Sequence, residues 1–244
     1  MCILFIYRNP NADAKSYRLI LAGNRDEIFK RPALPAHYWK EYPTCLGGID
    51  MEPGKEGGTW FALSIKGKAG IILNLSNEPG NSKSPKKGRG TLVNDYITSN
   101  DSAESYLKKL HSENQITQGY NPYNLILINL YTADVYYLSS SLNSSGPKIC
   151  QDNILGFGNS TIECPYKKVE AGKESFSNIV HNIKTSDQDE LIENLLQLLK
   201  SRESTRTHTI LMIDGLNQMT FVEETLMPDF SWKRQSFNST LITN

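Results

Sequence analysis

Cysteine and histidine are both scarce in this chain, four of each in 244 residues, and neither is clustered. Cys2, Cys45, Cys150 and Cys164 stand far apart with no Cys-x-x-Cys, so zinc-ribbon and haem-attachment spacings are absent. The same dispersion argues against a disulfide framework and for a reducing compartment. His37, His111, His181 and His208 show no metal-ligand spacing, and no metal site is expected. An excess of either charge is missing too, since 26 basic side chains face 26 acidic ones. That balance builds no broad positive field of the kind nucleic acid or an anionic membrane requires. Long apolar runs are also lacking. Cys2 to Tyr7 is apolar but is stopped by Arg8, too soon for a secretory signal. No window approaches the roughly 20 apolar residues of a membrane span. A soluble, intracellular, cytoplasmic protein is the expectation, and sequon-like triplets such as Asn143-Ser144-Ser145 are read as chance. With no repeat, low-complexity tract or long biased linker, residues 1–244 are expected to form one domain.

What is present is a succession of short apolar runs separated by turn residues. Cys2 to Tyr7 and Tyr17 to Ala22, rich in β-branched and aromatic residues, predict a hairpin across the polar turn Arg8 to Lys15. Such a hairpin brings Cys2 beside Asn24, Arg25 and Asp26. Pro32, Pro35 and Pro43 around His37, Tyr38 and Trp39 predict an extended loop over 31–43. Gly47-Gly48 and Gly54 to Gly58 frame a glycine-rich turn. Thr59 to Ile65 and Gly70 to Leu75 form a second hairpin about Lys66-Gly67-Lys68, followed by a polar loop from Ser76 to Gly90. Leu92, Val93, Tyr96 and Ile97 mark a short helix; Ala103, Tyr106, Leu107 and Leu110 mark a second, with Asp101 and Glu104 placed as a capping box. Asn124 to Tyr131 and Asp134 to Ser140 predict a third hairpin, and Ile154 to Gly158 a further strand. Helical period returns at Val169, Phe176, Ile179, Val180 and Ile183, then at Leu191, Ile192, Leu195, Leu198 and Leu199 behind Ser186. Thr209 to Ile213, Met219 to Val222 and Trp232 to Phe237 close the chain as strands. Hairpins in place of βαβ crossovers favour an α+β fold, with two mainly antiparallel sheets stacked between two helical layers.

Several stretches carry chemistry. Gly54-Lys55-Glu56-Gly57-Gly58-Thr59 has the look of a phosphate loop but lacks its first glycine and its Ser or Thr after lysine, and it leads into a strand. A tight turn needing positive φ is the better reading. Lys83, Lys86, Lys87 and Arg89 form a solvated basic loop that a phosphate-bearing ligand could use. Cys2 is the strongest candidate. Once the initiator methionine is removed, Cys2 carries both a thiol nucleophile and a base, its own α-amine, with an ordinary pKa of about 7.7–8.0. Arg25 would favour the thiolate and Asp26 would orient the amine. Asn74 and Asn159, at strand ends, could donate to an oxyanion, and Arg206 could bind a substrate carboxylate or buttress the thiol. The competing reading makes Cys2 a small core hydrophobe.

Met1-Cys2-Ile3, Asn24-Arg25-Asp26-Glu27, Lys55-Glu56-Gly57-Gly58-Thr59-Trp60, Gly88-Arg89-Gly90, Tyr106-Leu107-Lys108-Lys109, Gly158-Asn159-Ser160 and Thr205-Arg206-Thr207 together resemble the transport and Golgi organisation protein 2 family. The resemblance implies an N-terminal-nucleophile hydrolase-like αββα fold, similar to the cholylglycine hydrolase and penicillin acylase group. Carried over by position, that group's catalytic set would be Cys2, Arg25, Asp26, Asn74, Asn159 and Arg206. Arg25 and Asp26 are adjacent here, where that group separates the pair. Adjacent side chains on a strand point apart, so one of the two is expected to face Cys2. The resemblance further implies haem trafficking, with links to lipid homeostasis and Golgi organisation and with mitochondrial or Golgi association. Haem or another amphipathic small molecule would be cargo and not a required cofactor, held by Asn24, Arg25, Arg89, Arg206 and Trp60. Contact with an organelle surface would be transient. The alternatives are an amidase or thioesterase acting through Cys2, and a lipid or acyl-coenzyme A module using the 83–89 loop.

Overall fold

The computed structural model describes residues 2–76, 87–117, 119–141, 144–181, 183–200 and 205–242. Strands β1 (Ile3–Arg8), β2 (Tyr17–Asp26), β3 (Ala33–Tyr38), β4 (Cys45–Asp50), β5 (Phe61–Ser64) and β6 (Lys68–Asn74) come first. Helices α1 (Thr91–Thr98) and α2 (Ala103–Thr117) follow, then β7 (Tyr123–Asn129), β8 (Asp134–Ser139), β9 (Lys148–Cys150) and β10 (Ile154–Phe157). Helices α3 (Lys167–Val180) and α4 (Gln188–Leu199) precede β11 (Thr205–Asp214), β12 (Gln218–Leu226) and β13 (Trp232–Thr240). One sheet runs β10-β1-β2-β11-β12-β13 and the other runs β3 through β9 in order. The strand pairings within both sheets are antiparallel.

Alternation along the central strands explains the layering. On β1, Leu4 and Ile6 enter the core between the sheets, while Ile3 and Phe5 pack with Val169, Phe176, Leu191 and Leu195 of α3 and α4. On β7, Ile126 and Ile128 face the same inner core, and Leu125 and Leu127 face Leu92, Val93, Leu107 and Leu110 of α1 and α2. Strands buried on both faces read as continuous apolar runs, as these do. The result is a four-layer αββα sandwich.

Four local expectations change. Residues 31–43 are not all loop, because β3 occupies 33–38. It is an edge strand, where proline is tolerated, and its pairing with β4 is irregular between Leu34 and His37, around Pro35. Gly47 and Gly48 belong to β4, and not to a turn. A Cβ on Gly47 would stand 2.7 Å from that of Ala62, and one on Gly48 would stand 2.4 Å from the Trp60 ring. Helix α2 is capped by Ser102, whose Oγ accepts the Ser105 N–H at 3.2 Å, in place of Asp101. Strand β9, three residues at a sheet edge, carries too short a pattern to announce itself. In the 54–58 turn, Gly54 and Gly57 do adopt positive φ, 79° and 80°. The 76–90 loop and the 83–89 basic stretch fall partly outside the described residues, as does Asn143.

Candidate functional site

Strand register builds the site. Ile3 pairs with Asn24, and Asp26 with Thr205, so the chain start, the end of β2 and the start of β11 meet at one end of the sheet's central strands. The Cys2 thiol lies 3.7 Å from the Asp26 carbonyl oxygen. It faces a pocket of about 170 Å³ that is also lined by Arg25, Asp26, Glu27, Arg31, Asp50, Trp60, Asn74 and Arg89. A smaller crevice, about 30 Å³, continues from Cys2 between the sheets along Leu4, Leu21, Phe61, Ile71 and Leu73.

The far wall joins two of the sequence motifs. The Thr59 N–H donates to the Gly90 carbonyl at 3.3 Å. A Cβ on Gly90 would come within 2.7 Å of the Thr59 nitrogen and 2.9 Å of the Gly58 Cα. The Lys55–Trp60 and Gly88–Gly90 segments therefore meet backbone to backbone, which glycine alone permits.

Arg25, 7% exposed, lies 4.2 Å over the Trp60 ring and 3.9 Å from the Glu27 carboxylate. Burial pulls its pKa down, while Glu27 and Asp50 oppose that shift. Arg31 donates to both oxygens of Asp50, at 3.0 and 2.5 Å, and stands 3.5 Å from Glu27. The Arg89 guanidinium donates to the Pro122 carbonyl at 2.7 Å, and burial, with the Arg31 charge, lowers its pKa. Burial also pushes the Cys2 thiol up; the Asp26 backbone hydrogen bond opposes this, the Asp26 charge adds to it, and Arg25 gives only partial relief. The expected thiolate-favouring effect of Arg25 is thus outweighed by desolvation.

Both Arg25 and Asp26 line the pocket, and both charges act on Cys2, where one was expected to face it. Opposite them β11 is bulged: Asp26 pairs with Thr205 and Arg25 with Thr207, leaving Arg206 as the extra residue. Asp26 accepts a hydrogen bond from Thr205 Oγ1 at 2.8 Å. The bulged Arg206 is not brought to the pocket. It donates to the carbonyls of Ile28, Phe29 and Leu226 and lies 4.5 Å over the Phe29 ring. Asn24 points to the helical side, donating to the Leu199 carbonyl at 3.1 Å, with its Oδ1 2.7 Å from His208 Nδ1. Asn74 lines the pocket, whereas Asn159 is buried beside it and donates to the Asn74 carbonyl at 2.6 Å. Lys87, read from the sequence as part of a ligand-accessible basic loop, does line the pocket, whereas sequence reasoning missed Arg31, Asp50 and Lys55, which the packing of β3, β4 and the 54–58 turn brings there. Among the described residues no group of His, Cys, Asp and Glu side chains is arranged to hold a metal, and no helix is long and apolar enough to cross a membrane.

Two antiparallel sheets between helical layers, with the chain's first thiol at the mouth of a pocket at the strand ends, define an N-terminal-nucleophile hydrolase-like fold. The conjugated bile acid hydrolase of Clostridium perfringens, solved as its C2A mutant, superposes with a TM-score of 0.51 at 10% identity, covering 100% of this chain and 97% of that one. The family model for Transport and Golgi organisation 2 matches residues 1–206. The chain is 32% identical over 282 residues to the Transport and Golgi organization 2 homolog of Mus musculus, and 32% identical over 279 residues to that of Homo sapiens. Each alignment covers 99% of both partners, and the chain belongs to this family.

Proposed function

We propose that the pocket binds an amphipathic anion and that the protein traffics haem, serving haem and lipid homeostasis in the cytoplasm and at mitochondrial and Golgi surfaces. The relatives' names carry Golgi organisation, and the same role is proposed for this chain. The observation that carries the reading is the polarity of the mouth. Arg25, Arg31, Lys55, Lys87 and Arg89 share it with Asp26, Glu27 and Asp50, and Asp50 is already held by Arg31. An apolar crevice lies directly below. Haem propionates would meet Arg25 and Arg89, and the porphyrin edge would rest on Trp60. Cys2 offers a sulfur whose ionisation is suppressed, which suits weak and releasable ligation of iron. Titration of haem into wild type, Cys2→Ala, Arg25→Ala and Arg89→Ala tests this. A saturable Soret shift, weakened about tenfold or more by either arginine variant, is expected; an unsaturable shift, or one that none of the variants alters, refutes it.

The crevice favours a second reading. Its walls, Leu4, Leu21, Ile71 and Leu73, suit an alkyl chain as well as a ring edge. An acyl-coenzyme A or lipid would place phosphates on Lys87 and Arg89, and on Lys83 and Lys86, which lie outside the described residues. That ligand would compete with haem, and its affinity would fall with salt. The thiol's place at the mouth supports a third reading, amide or thioester hydrolysis by Cys2. Intact mass showing a retained Met1, a position outside the described residues, would end the α-amine mechanism.

A further inference from the structure

At the end of the sheet that carries Cys2 and Asp26, two loops and the start of β13 project apolar side chains into water. Ile28 is 73% exposed, Phe230 is 71% exposed and Trp232 is 41% exposed. Phe29 stacks on Phe230 at 4.7 Å, and Trp232 stacks on His208 at 4.6 Å. Register places them together: Asp26 pairs with Thr205, Thr207 with Thr225, and Leu226 with Trp232, so the ends of β2, β12 and β13 meet here. Arg206 fastens the two loops by donating to the carbonyls of Ile28, Phe29 and Leu226.

Phe230 sits at φ 63°, a left-handed conformation that bulky residues rarely adopt. Its turn is fixed by Asp229, which accepts from both the N–H and the hydroxyl of Ser231. The turn lays the Phe230 ring on Phe29 and leaves most of it facing water. Cations outnumber anions around these side chains. Lys30 and Lys233, next in sequence to Phe29 and Trp232, are exposed; Asp229 keeps its negative charge beside Phe230, and Glu27 stands against Arg25 and Arg31.

We propose that this end of the molecule docks on an anionic membrane surface, placing Ile28, Phe29, Phe230 and Trp232 among the lipid headgroups and Lys30 and Lys233 against their phosphates. Projecting tips with a basic collar match a lipid interface. The Glu27–Arg31 turn that supplies the tips also lines the pocket, so docking sets the mouth at the membrane. Only the idea that cargo is exchanged there rests on the proposed function; docking itself does not.

Co-sedimentation with phosphatidylcholine vesicles, with and without phosphatidylserine, tests the surface. Wild type is expected to bind the anionic vesicles. Ile28→Ser with Phe230→Asn, an exchange that tolerates the left-handed turn, should weaken binding at least about tenfold. Lys30→Glu with Lys233→Glu should weaken it about fivefold per cation and abolish the phosphatidylserine preference. Ile116→Ser, at an 83% exposed site on α2, should bind as wild type. Failure of wild type to bind, unaltered binding by the Ile28/Phe230 variant, or an equal loss in Ile116→Ser overturns the proposal. In vesicle-free buffer the Ile28/Phe230 variant should titrate with haem as wild type does. Arg25→Ala should still bind vesicles, so the surface and the pocket fail separately.

Discussion

Replacing Gly90 by alanine separates pocket geometry from backbone preference. Gly90 has φ −60° and ψ −22°, a right-handed conformation that alanine adopts freely. On backbone grounds alone the exchange would stabilise the fold by about 0.4–1 kcal/mol, through a less flexible unfolded chain. Packing opposes this. The new methyl carbon would stand 2.7 Å from the Thr59 nitrogen and 2.9 Å from the Gly58 Cα. Both are backbone atoms, so neither can rotate aside, and the two segments must separate. Overpacking of this kind costs about 1–3 kcal/mol. Lengthening the Thr59 N–H bond to the Gly90 carbonyl, already 3.3 Å, removes about 1 kcal/mol more. The clash wins, with a net loss of about 1–3 kcal/mol and a Tm lowered by roughly 2–12 °C for a chain of this size. Because those segments form the pocket wall, haem affinity should fall as well. Calorimetry and titration on Gly90→Ala beside Gly119→Ala, whose Cβ would meet nothing within 4 Å, provide the check. A Gly90→Ala protein that melts and binds as wild type would refute the backbone-to-backbone account of this wall.

His208 is held near a pKa of about 4, chiefly by burial. The unfolded chain takes up that proton below about 6.5 and the native state does not, so stability should fall by up to roughly 3 kcal/mol as pH drops from about 6.5 to about 4. His208→Phe keeps a ring on Trp232 and should flatten that slope in urea titrations at several pH values; an unchanged slope counts against His208. Lys68 donates to the carbonyls of Ser99 and Asp101 at 2.8 and 2.6 Å, fastening the end of α1 to β6. Lys68→Met should lose about 1–3 kcal/mol in chemical denaturation, and no loss would mean that water replaces the ammonium. In timed alkylation at neutral pH read by peptide mass, the exposed Cys164 should react before Cys2, whose thiolate is disfavoured; the reverse order would contradict its burial.

The layers were legible because period-2 and period-3.6 patterns alternate in long blocks, and because turns such as Lys66-Gly67-Lys68 are short enough to force antiparallel pairing. The meeting of Cys2 with Arg25 and Asp26 was legible for a related reason, since one hairpin's register determines it. Strand β3 was obscured because proline is excluded from central strands but not from edges, and a sequence does not say which strand is the edge. Arg206 misled because its direction depends on a bulge against β2, a pairing across about 180 residues that leaves no local mark. Arg31 and Asp50 were invisible as pocket groups for the same reason: they reach Cys2 only through the packing of one sheet on the other.

The fate of each polar group at the mouth bears on whether the scaffold retains chemistry or only binding. An acyl transfer through Cys2 needs an ionisable thiol, a donor aimed at an oxyanion and a cation free to orient substrate. Here burial disfavours the thiolate, Asn159 donates to the Asn74 carbonyl and leaves the Asn74 side chain as the amide lining the pocket, and Arg206 is engaged by three loop carbonyls. Arg25 stays available, since its partners are an aromatic face and a carboxylate at 3.9 Å, contacts that leave N–H groups for an incoming anion. A disfavoured thiolate beside a positive charge that faces the opening suits the proposed anion carrier better than an acyl transfer. The discriminating comparison is therefore Arg25→Ala against Cys2→Ala in one titration: for a carrier the arginine exchange must be the more damaging, and for a hydrolase the cysteine exchange must abolish turnover while leaving affinity intact.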